Sequence, residues 1–357
     1  MNICFLAGAN SVHSYKWVKY FADKGHQVHW ISFTKNTQGI IEGVPFYEIN
    51  AFFPFNFLKL RKIVKKIKPD IFHAHYAGVN GFLAALVGFH PFVITAWGSD
   101  VLIAGKAILK KIFVKYALNR ADLITCDAGH MQKAIVKLGE PASKIKIIYF
   151  GVDVLKFSER EKNTNLQNKL KVSNCPVVIS LRSFERVYDI ETLIMAIPIV
   201  LSVIPNVKFI IAGKGPEEEN LKKLAENLNI LENIRFVSWI AQGEMPEYLR
   251  LADIYVSTSL SDAGIASSTA EAMACGVCPI ITDFGDNKEW VKNGENGFLM
   301  PLRDHDFLAD KLVYLLKNSE ERLKLGHNAR SIIEEKNNYY KEMEKMDKLY
   351  EIISKKY

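Results

Sequence analysis

Residues 257–298 read STSLSDAGIASSTAEAMACGVCPIITDFGDNKEWVKNGENGF, and they hold one full repeat of an α/β layer. The apolar run Ile254 to Ser257 ends in a loop of small residues, a helical stretch follows, and a second apolar run occupies Cys278 to Thr282. Strand, helix and strand in that order imply parallel strands joined by a crossover helix. Small side chains at Gly264, Ala266, Ser267, Ser268 and Thr269 let a ligand approach the backbone. The helix that begins there adds unpaired N–H groups and the positive end of its dipole, so the segment reads as an anion site. Glu271, expected in the first turn, would accept from a ribose or sugar hydroxyl. The plainer alternative is that it merely offsets the helix dipole.

The same alternation runs outward in both directions. Toward the N-terminus the expected strands are Asn2 to Ala7, Gln27 to Ser32, Asp70 to Ala74, Phe92 to Thr95, Leu123 to Cys126 and Ile145 to Ile148, with helices such as His13 to Lys24 and Ala107 to Asn119 between them. Ser158 to Asn174 is rich in Lys, Asn and Glu and reads as a linker. A second series follows: Pro176 to Leu181, Val207 to Ala212, Ile234 to Val237, then the two strands that flank the quoted helix. The fold class expected is α/β, with two doubly wound, Rossmann-like domains facing across a cleft, residues 1–160 and 161–336. Residues 337–357, with Tyr340, Met343, Met346, Leu349, Ile352 and Ile353 at helical spacing, are expected to form a last helix that packs back toward the first domain.

Composition sets the bounds. With 357 residues, 49% hydrophobic and 24% charged, each half can bury a core. No apolar run reaches the roughly 18 to 20 residues of a membrane span, and the N-terminal stretch lacks the form of a signal peptide, so a cytoplasmic protein is expected. Five scattered cysteines imply no disulfide framework, and the pair Cys275 and Cys278 lacks a second ligand pair for zinc. The net charge of +7 is uneven: residues 1–150 hold 19 Lys and Arg against 8 Asp and Glu, near +11, leaving the remainder near −4.

Further clusters fall at strand ends. Residues 180–189, SLRSFERVYD, place Arg182 and Arg186 where two guanidinium groups would grip a diphosphate. Gly213, in AGKGP, permits close backbone approach at the sheet edge, and Trp239 and Ile240 follow another strand, with Trp239 readable as core as well. In the first half, Gly8 opens a strand-to-helix loop of the type that approaches phosphates, with His13 near the helix start. His73 and His75 alternate on one strand and so share a face. They suit acceptor-side polar contacts better than zinc, since no third ligand has a fitting spacing. Asp304 and Asp306 form a DxD, a metal-holding pattern elsewhere, but Asp304 stands where a helix N-cap belongs. No metal and no cofactor are expected.

EAMACG followed by an apolar strand, then GDNKE and NGENGF, resembles the retaining glycosyltransferases of family 4, and the similarity spans nearly the whole chain. The resemblance implies a GT-B enzyme whose donor is a nucleotide-diphosphate sugar held in the C-terminal half. Glu271 matches the second Glu of the family's paired motif, the one that contacts the ribose. The first falls on Ala263, so that either adjacent Asp262 substitutes or the sugar-contacting carboxylate is missing. Arg182, with Arg186 near the usual Lys, would neutralise the departing diphosphate. Gly213 would line the donor cleft, beside Ile240 and Trp239 at the base. Trp97, in TAWGSD, stands where the family has a His on the donor sugar, which passes polar roles to Asp100 and to His13 or His75.

The activity expected is transfer of a hexose-type sugar, with retention, to a glycan or lipid-linked acceptor. Two alternatives stay open: a sugar-nucleotide epimerase on the same fold, and an inactive sugar-nucleotide-binding subunit. Nucleic acid is not an expected partner. Phe52, Phe53, Phe55 and Phe57 precede Lys59, Arg61, Lys62, Lys65, Lys66 and Lys68, with Lys106, Lys110, Lys111 and Lys115 further on. This pattern suits either peripheral docking on an anionic membrane or a solvated helix face.

Overall fold

The computed structural model describes residues 1–50, 54–102, 108–241, 243–262 and 264–357. The chain divides into two compact units, Met1–Phe150 with Tyr340–Tyr357, and Gly151–Tyr339. The passage at Gly151 precedes the expected boundary at residue 160. Val152 donates to the Asn337 carbonyl (2.7 Å) and Tyr339 to the Val152 carbonyl (2.9 Å), so this stretch is already paired within the second unit. Gly151 adopts φ +75°, and a Cβ there would lie 2.3 Å from the Tyr339 Cα.

The first unit is a seven-stranded parallel sheet: β1 Asn2–Leu6, β2 Gln27–Ser32, β3 Phe46–Glu48, β4 Ile71–His75, β5 Phe92–Thr95, β6 Leu123–Cys126 and β7 Ile145–Ile147. Its order is β3-β2-β1-β4-β5-β6-β7, so the winding reverses between β1 and β4. Burial on both faces explains the unbroken apolar runs. The helices include α1 Val12–Asp23, α2 Phe55–Ile67, α3 Val79–Val87, α4 Ser99–Leu102, α5 Ile108–Arg120 and α6 Gly129–Lys137. Strand β3 escaped the sequence reading because three residues, two half-buried and one exposed, are too few to carry a period.

The second unit begins with α7 Thr164–Leu170, which lies inside the stretch read as a linker. Its amphipathic signal is only two turns long, and Asn163 caps it by accepting from the Leu166 N–H (3.1 Å). Six parallel strands follow: β8 Val177–Leu181, β9 Lys208–Ala212, β10 Ile234–Val237, β11 Ile254–Ser257, β12 Cys278–Thr282 and β13 Phe298–Met300. Their order, β10-β9-β8-β11-β12-β13, reverses between β8 and β11. The helices are α8 Ile190–Val203, α9 Glu218–Asn227, α10 Met245–Leu251, α11 Ser267–Ala274, α12 His305–Lys317 and α13 Ser319–Lys336. A reversal leaves two neighbouring strand ends whose loops diverge, and ligands of such sheets bind in the crevice so made.

The last helix, α14 Tyr339–Ser354, belongs from Tyr340 onward to the first unit. Its buried face is Glu342, Met343, Met346, Asp347, Tyr350 and Ile353, whereas Tyr340 and Ile352 are exposed. Polar contacts explain this offset from the purely apolar stripe. Glu342 accepts from the Tyr149 N–H (3.0 Å), and Asp347 pairs with Lys24 (2.7 Å) and His26 (3.0 Å).

Candidate functional site

Arg182 leaves the end of β8, beside the reversal. Only 9% of it is exposed, and its Nη2 donates to Asp262 Oδ1 at 2.5 Å and lies 3.5 Å from Ser259 Oγ. The guanidinium covers the Tyr188 ring at 4.2 Å, and its Nε has no partner among the described residues. Asp262 comes from the loop after β11, so the topology unites residues 80 positions apart. Thr258 Oγ1 donates to the Asp189 carbonyl (2.7 Å), Leu260 N–H to the Val187 carbonyl (2.8 Å), and Thr282 Oγ1 to the Ser259 carbonyl (2.6 Å). Both loops are therefore stitched together. Tyr188 and Ser259 carry no signal of their own, because neither residue type is diagnostic and their contacts are long-range.

Two expectations around this arginine need correction. Arg186 does not converge with Arg182: its side chain is 88% exposed and pairs with Glu217 (2.9 Å), just before α9. Gly213 serves packing of the protein backbone. A Cβ there would lie 2.2 Å from the Arg182 carbonyl oxygen and 3.0 Å from the Phe184 ring, so glycine lets the β9 turn press against the arginine loop.

Helix α11 begins at Ser267, with Ala266 as its cap and no side-chain hydrogen bond there. Its leading N–H groups thus receive no side-chain cap. Ser267 is exposed, and Ser268 Oγ is bonded to Tyr255 OH (2.8 Å). Glu271 is the fifth helical residue, not a first-turn one, so offsetting the dipole is a poor explanation for it. Gly264 is half-buried in the loop, whereas Ala263 lies outside the described residues. Beyond β10, Ile240 is buried but Trp239 is 71% exposed, which removes the core reading of that indole.

The reversal in the first unit lies between the loops that follow β1 and β4. Gly8 is in the former, where Ala9 N–H is held by Ser32 Oγ and Thr34 Oγ1, both at 3.0 Å. His13, second in α1, stacks on Phe150 (4.4 Å) and meets the edge of Trp97 (5.9 Å). His75, 2% exposed, packs against Trp17 (5.0 Å), Phe5 (5.6 Å) and Trp97 (5.7 Å). Neither ring nitrogen of His75 nor Trp97 Nε1 has a hydrogen-bond partner among the described residues. Burial, then the nearby His13, depresses the His75 pKa to about 3, and burial, then Lys16, lowers that of His13 to about 4. Both imidazoles are neutral near pH 7. Phe150 carried no sequence signal.

His73 and Asp100 have structural duties the sequence did not reveal. His73 is fully buried, accepting from or donating to Tyr350 OH (2.5 Å) at Nδ1 and bonded through Nε2 to Thr95 Oγ1 (2.7 Å). That excludes it from an acceptor surface. Asp100 is 3% exposed and accepts from the Ala77 N–H (2.6 Å) and the Trp97 N–H (3.0 Å), clasping two loops. Burial raises its pKa against these N–H donors, which favour the carboxylate. It acts on Trp97 and Ala77 as a positioning residue.

Among the described residues no group of three His, Cys, Asp or Glu side chains is arranged for a metal. Asp304 caps α12 by accepting from the Phe307 N–H (2.9 Å). Burial raises the thiols of Cys275 and Cys278 to about 12, leaving them unreactive near neutral pH. No helix among the described residues is long and apolar enough to cross a membrane.

Residues 161–332 match the family model described as glycosyl transferases group 1, and residues 2–128 that of the glycosyl transferase 4-like proteins. With two doubly wound sheets behind these matches, the protein is a glycosyltransferase of GT-B fold. It belongs to the group 1 glycosyltransferases of the family 4 type. An N-acetyl-alpha-D-glucosaminyl L-malate synthase of Bacillus anthracis is 24% identical over 348 residues, covering 92% of this chain and 90% of its own. An Escherichia coli UDP-Gal:alpha-D-GlcNAc-diphosphoundecaprenol alpha-1,3-galactosyltransferase is 26% identical over 305 residues, 82% of this chain and 78% of its own. The Anabaena protein HepE, crystallised in complex with UDP, superposes with a TM-score of 0.84 at 19% identity, covering 98% of this chain and 99% of that one.

Proposed function

We propose that the enzyme moves a sugar from a nucleotide-diphosphate donor to a glycan or lipid-linked acceptor, with retention at the anomeric carbon. The observation that carries this reading is the Arg182 constellation at the reversal of the second sheet. A buried guanidinium, backed by Tyr188 and steered by Ser259 and Asp262, faces the same loop system as the uncapped start of α11. A departing diphosphate needs preorganised positive charge, which these groups would supply without reorganising solvent. Glu271 would take a ribose hydroxyl and the exposed Trp239 would border the base. HepE, a fold relative, was crystallised with UDP and also with UDP-glucose, which favours a uridine donor.

Asp262 is the natural candidate for the sugar-side carboxylate, since Arg182 already fixes its orientation. On the acceptor side, His13 presents a neutral imidazole beside the rings of Phe150 and Trp97, suited to a hydroxylated ring, with the buried His75 packed against Trp97. Incubation with a panel of uridine and guanosine diphosphate sugars and a hydroxylated acceptor tests the reading. Released nucleoside diphosphate and a product with the donor's anomeric configuration by NMR are expected. An inverted linkage would refute retention, and conversion of the donor without acceptor would favour an epimerase.

A further inference from the structure

Helix α5 is apolar on two sides. Val114, Ala117 and Leu118 face the core, yet Ile112, Phe113 and Tyr116 are exposed. A helix with an outer apolar face needs something to cover it. Phe82 of α3 packs at a tilt against Phe113 (4.5 Å) and edge-on to Tyr116 (5.8 Å), and beside this cluster opens a cavity of about 400 Å³. Its walls are chiefly Tyr76, Val79, Phe82, Leu83, Phe113 and Val114. Val79 in its wall is 65% exposed, Asn56 of α2 also lines the cavity, and Phe55 and Leu58 of the same helix are exposed.

The two helices that flank the cavity carry charge of one sign. Helix α2 carries Lys59, Arg61, Lys62, Lys65 and Lys66, and α5 carries Lys110, Lys111 and Lys115, with no Asp or Glu in either. Among the described residues none of these cations is in an ion pair, and Lys110 lines the cavity itself. Asp100 also lines the cavity, but it is buried and engaged by the Ala77 and Trp97 N–H groups, so an apolar socket between helices that carry bases and no acid fits an amphiphile with a hydrocarbon tail and an anionic head.

The socket also lies at the functional edge of its sheet. Tyr76 and Gly78 directly follow β4, and Ser99 and Asp100 follow β5. Asp100, through its bonds to Ala77 and Trp97, is shared between the socket and the loops of His75 and Trp97. A head group leaving the socket would emerge beside those residues.

We propose that this socket takes the hydrocarbon chain of an anionic lipid at a membrane surface, so that the lipid's head meets the loops after β4 and β5. The proposal rests on a lipid-linked acceptor in the preceding reading, but vesicle binding is measured without nucleotide and so is read independently of it. Each buried CH₂ strengthens binding roughly fourfold, and each basic residue near an anionic leaflet adds roughly fivefold.

The full chain is sedimented with vesicles of phosphatidylcholine alone and of phosphatidylcholine mixed equally with phosphatidylglycerol. Wild type is expected to bind the mixed vesicles at least tenfold more tightly, less so at high salt. Val79→Asp with Phe113→Asp is expected to weaken this at least tenfold, and Lys62→Glu with Lys111→Glu likewise. Melting curves establish folding, and if the double apolar variant melts early, Val79→Asp alone replaces it because that side chain is largely exposed. Equal binding to both vesicles, or loss only in the lysine variants, overturns the socket. Loss of donor binding in a separate titration would instead count against the donor site and leave the socket standing.

Discussion

Arg182 meets Asp262 in a pair whose side chains are 9% and 10% exposed, so neither partner is dispensable without a cost. Truncating one member of a buried pair leaves the other uncompensated, at about 3 kcal/mol or more. Asp262→Asn keeps shape while removing charge. It is expected to bind a nucleoside diphosphate about threefold to tenfold more tightly, because the guanidinium is freed, yet to turn over the sugar donor at least tenfold more slowly; calorimetry and initial rates separate the two. His75 poses the opposite case. Its unpartnered imidazole sits among Phe5, Trp17 and Trp97, and a buried polar group without a partner costs about 1–3 kcal/mol. His75→Phe is expected to leave stability at pH 7 unchanged or up to about 2 kcal/mol higher in urea titration, while lowering turnover.

The same histidines set an acid limit. An ordinary imidazole protonates near pH 6.5, whereas His13 and His75 are held to about 4 and 3 in the folded chain. The unfolded chain therefore binds more protons between these values, and stability falls as pH drops from 6.5, by up to about 1.4 kcal/mol per unit for each group. Urea midpoints measured from pH 7 to 4.5 should fall less steeply in His75→Phe than in wild type. Parallel slopes would deny the buried imidazole this role.

At the scale of elements, strands rich in apolar and β-branched residues were legible to the residue: Gln27–Ser32, Phe92–Thr95, Leu123–Cys126, Ile234–Val237, Ile254–Ser257 and Cys278–Thr282 all stand as read. Burial on both faces imposes that signal on all but Ile234–Val237, an edge strand that is largely half-buried. The edge strands Phe46–Glu48 and Phe298–Met300 are too short to carry it. Arg182 and the small loop before α11 were visible because strand ends locate them. The Arg182–Asp262 pair was not, since register and loop stitching are tertiary facts. Gly213 was noticed for a ligand's sake, although a carbonyl 2.2 Å from its absent Cβ is what requires it. Gly213→Ala is expected to cost about 2–4 kcal/mol in chemical denaturation and to weaken donor binding by moving the arginine loop.

For the whole molecule, the chain's two ends meet in the first unit. A buried polar row runs from Tyr350 through His73 and Thr95 to Thr125 (2.5, 2.7 and 2.6 Å), crossing β4, β5 and β6. The apolar stripe of the last helix announced a packed element, but nothing in it announced Glu342, Asp347 or this row. Tyr350→Phe leaves buried His73 short of a partner and is expected to cost about 1–3 kcal/mol, with hydrogen exchange accelerated in Met1–Phe150 rather than in Gly151–Tyr339. Charge divides along similar lines, with residues 1–150 near +11 and the rest near −4, which fits an anionic acceptor surface on the first unit. We propose that the second unit holds the donor. Calorimetric titration of wild type and Arg182→Ala with UDP and with GDP decides that most directly: at least one nucleotide should bind wild type and bind the variant at least tenfold more weakly, whereas equal affinity in both proteins, or none for either nucleotide, would contradict a diphosphate site at Arg182.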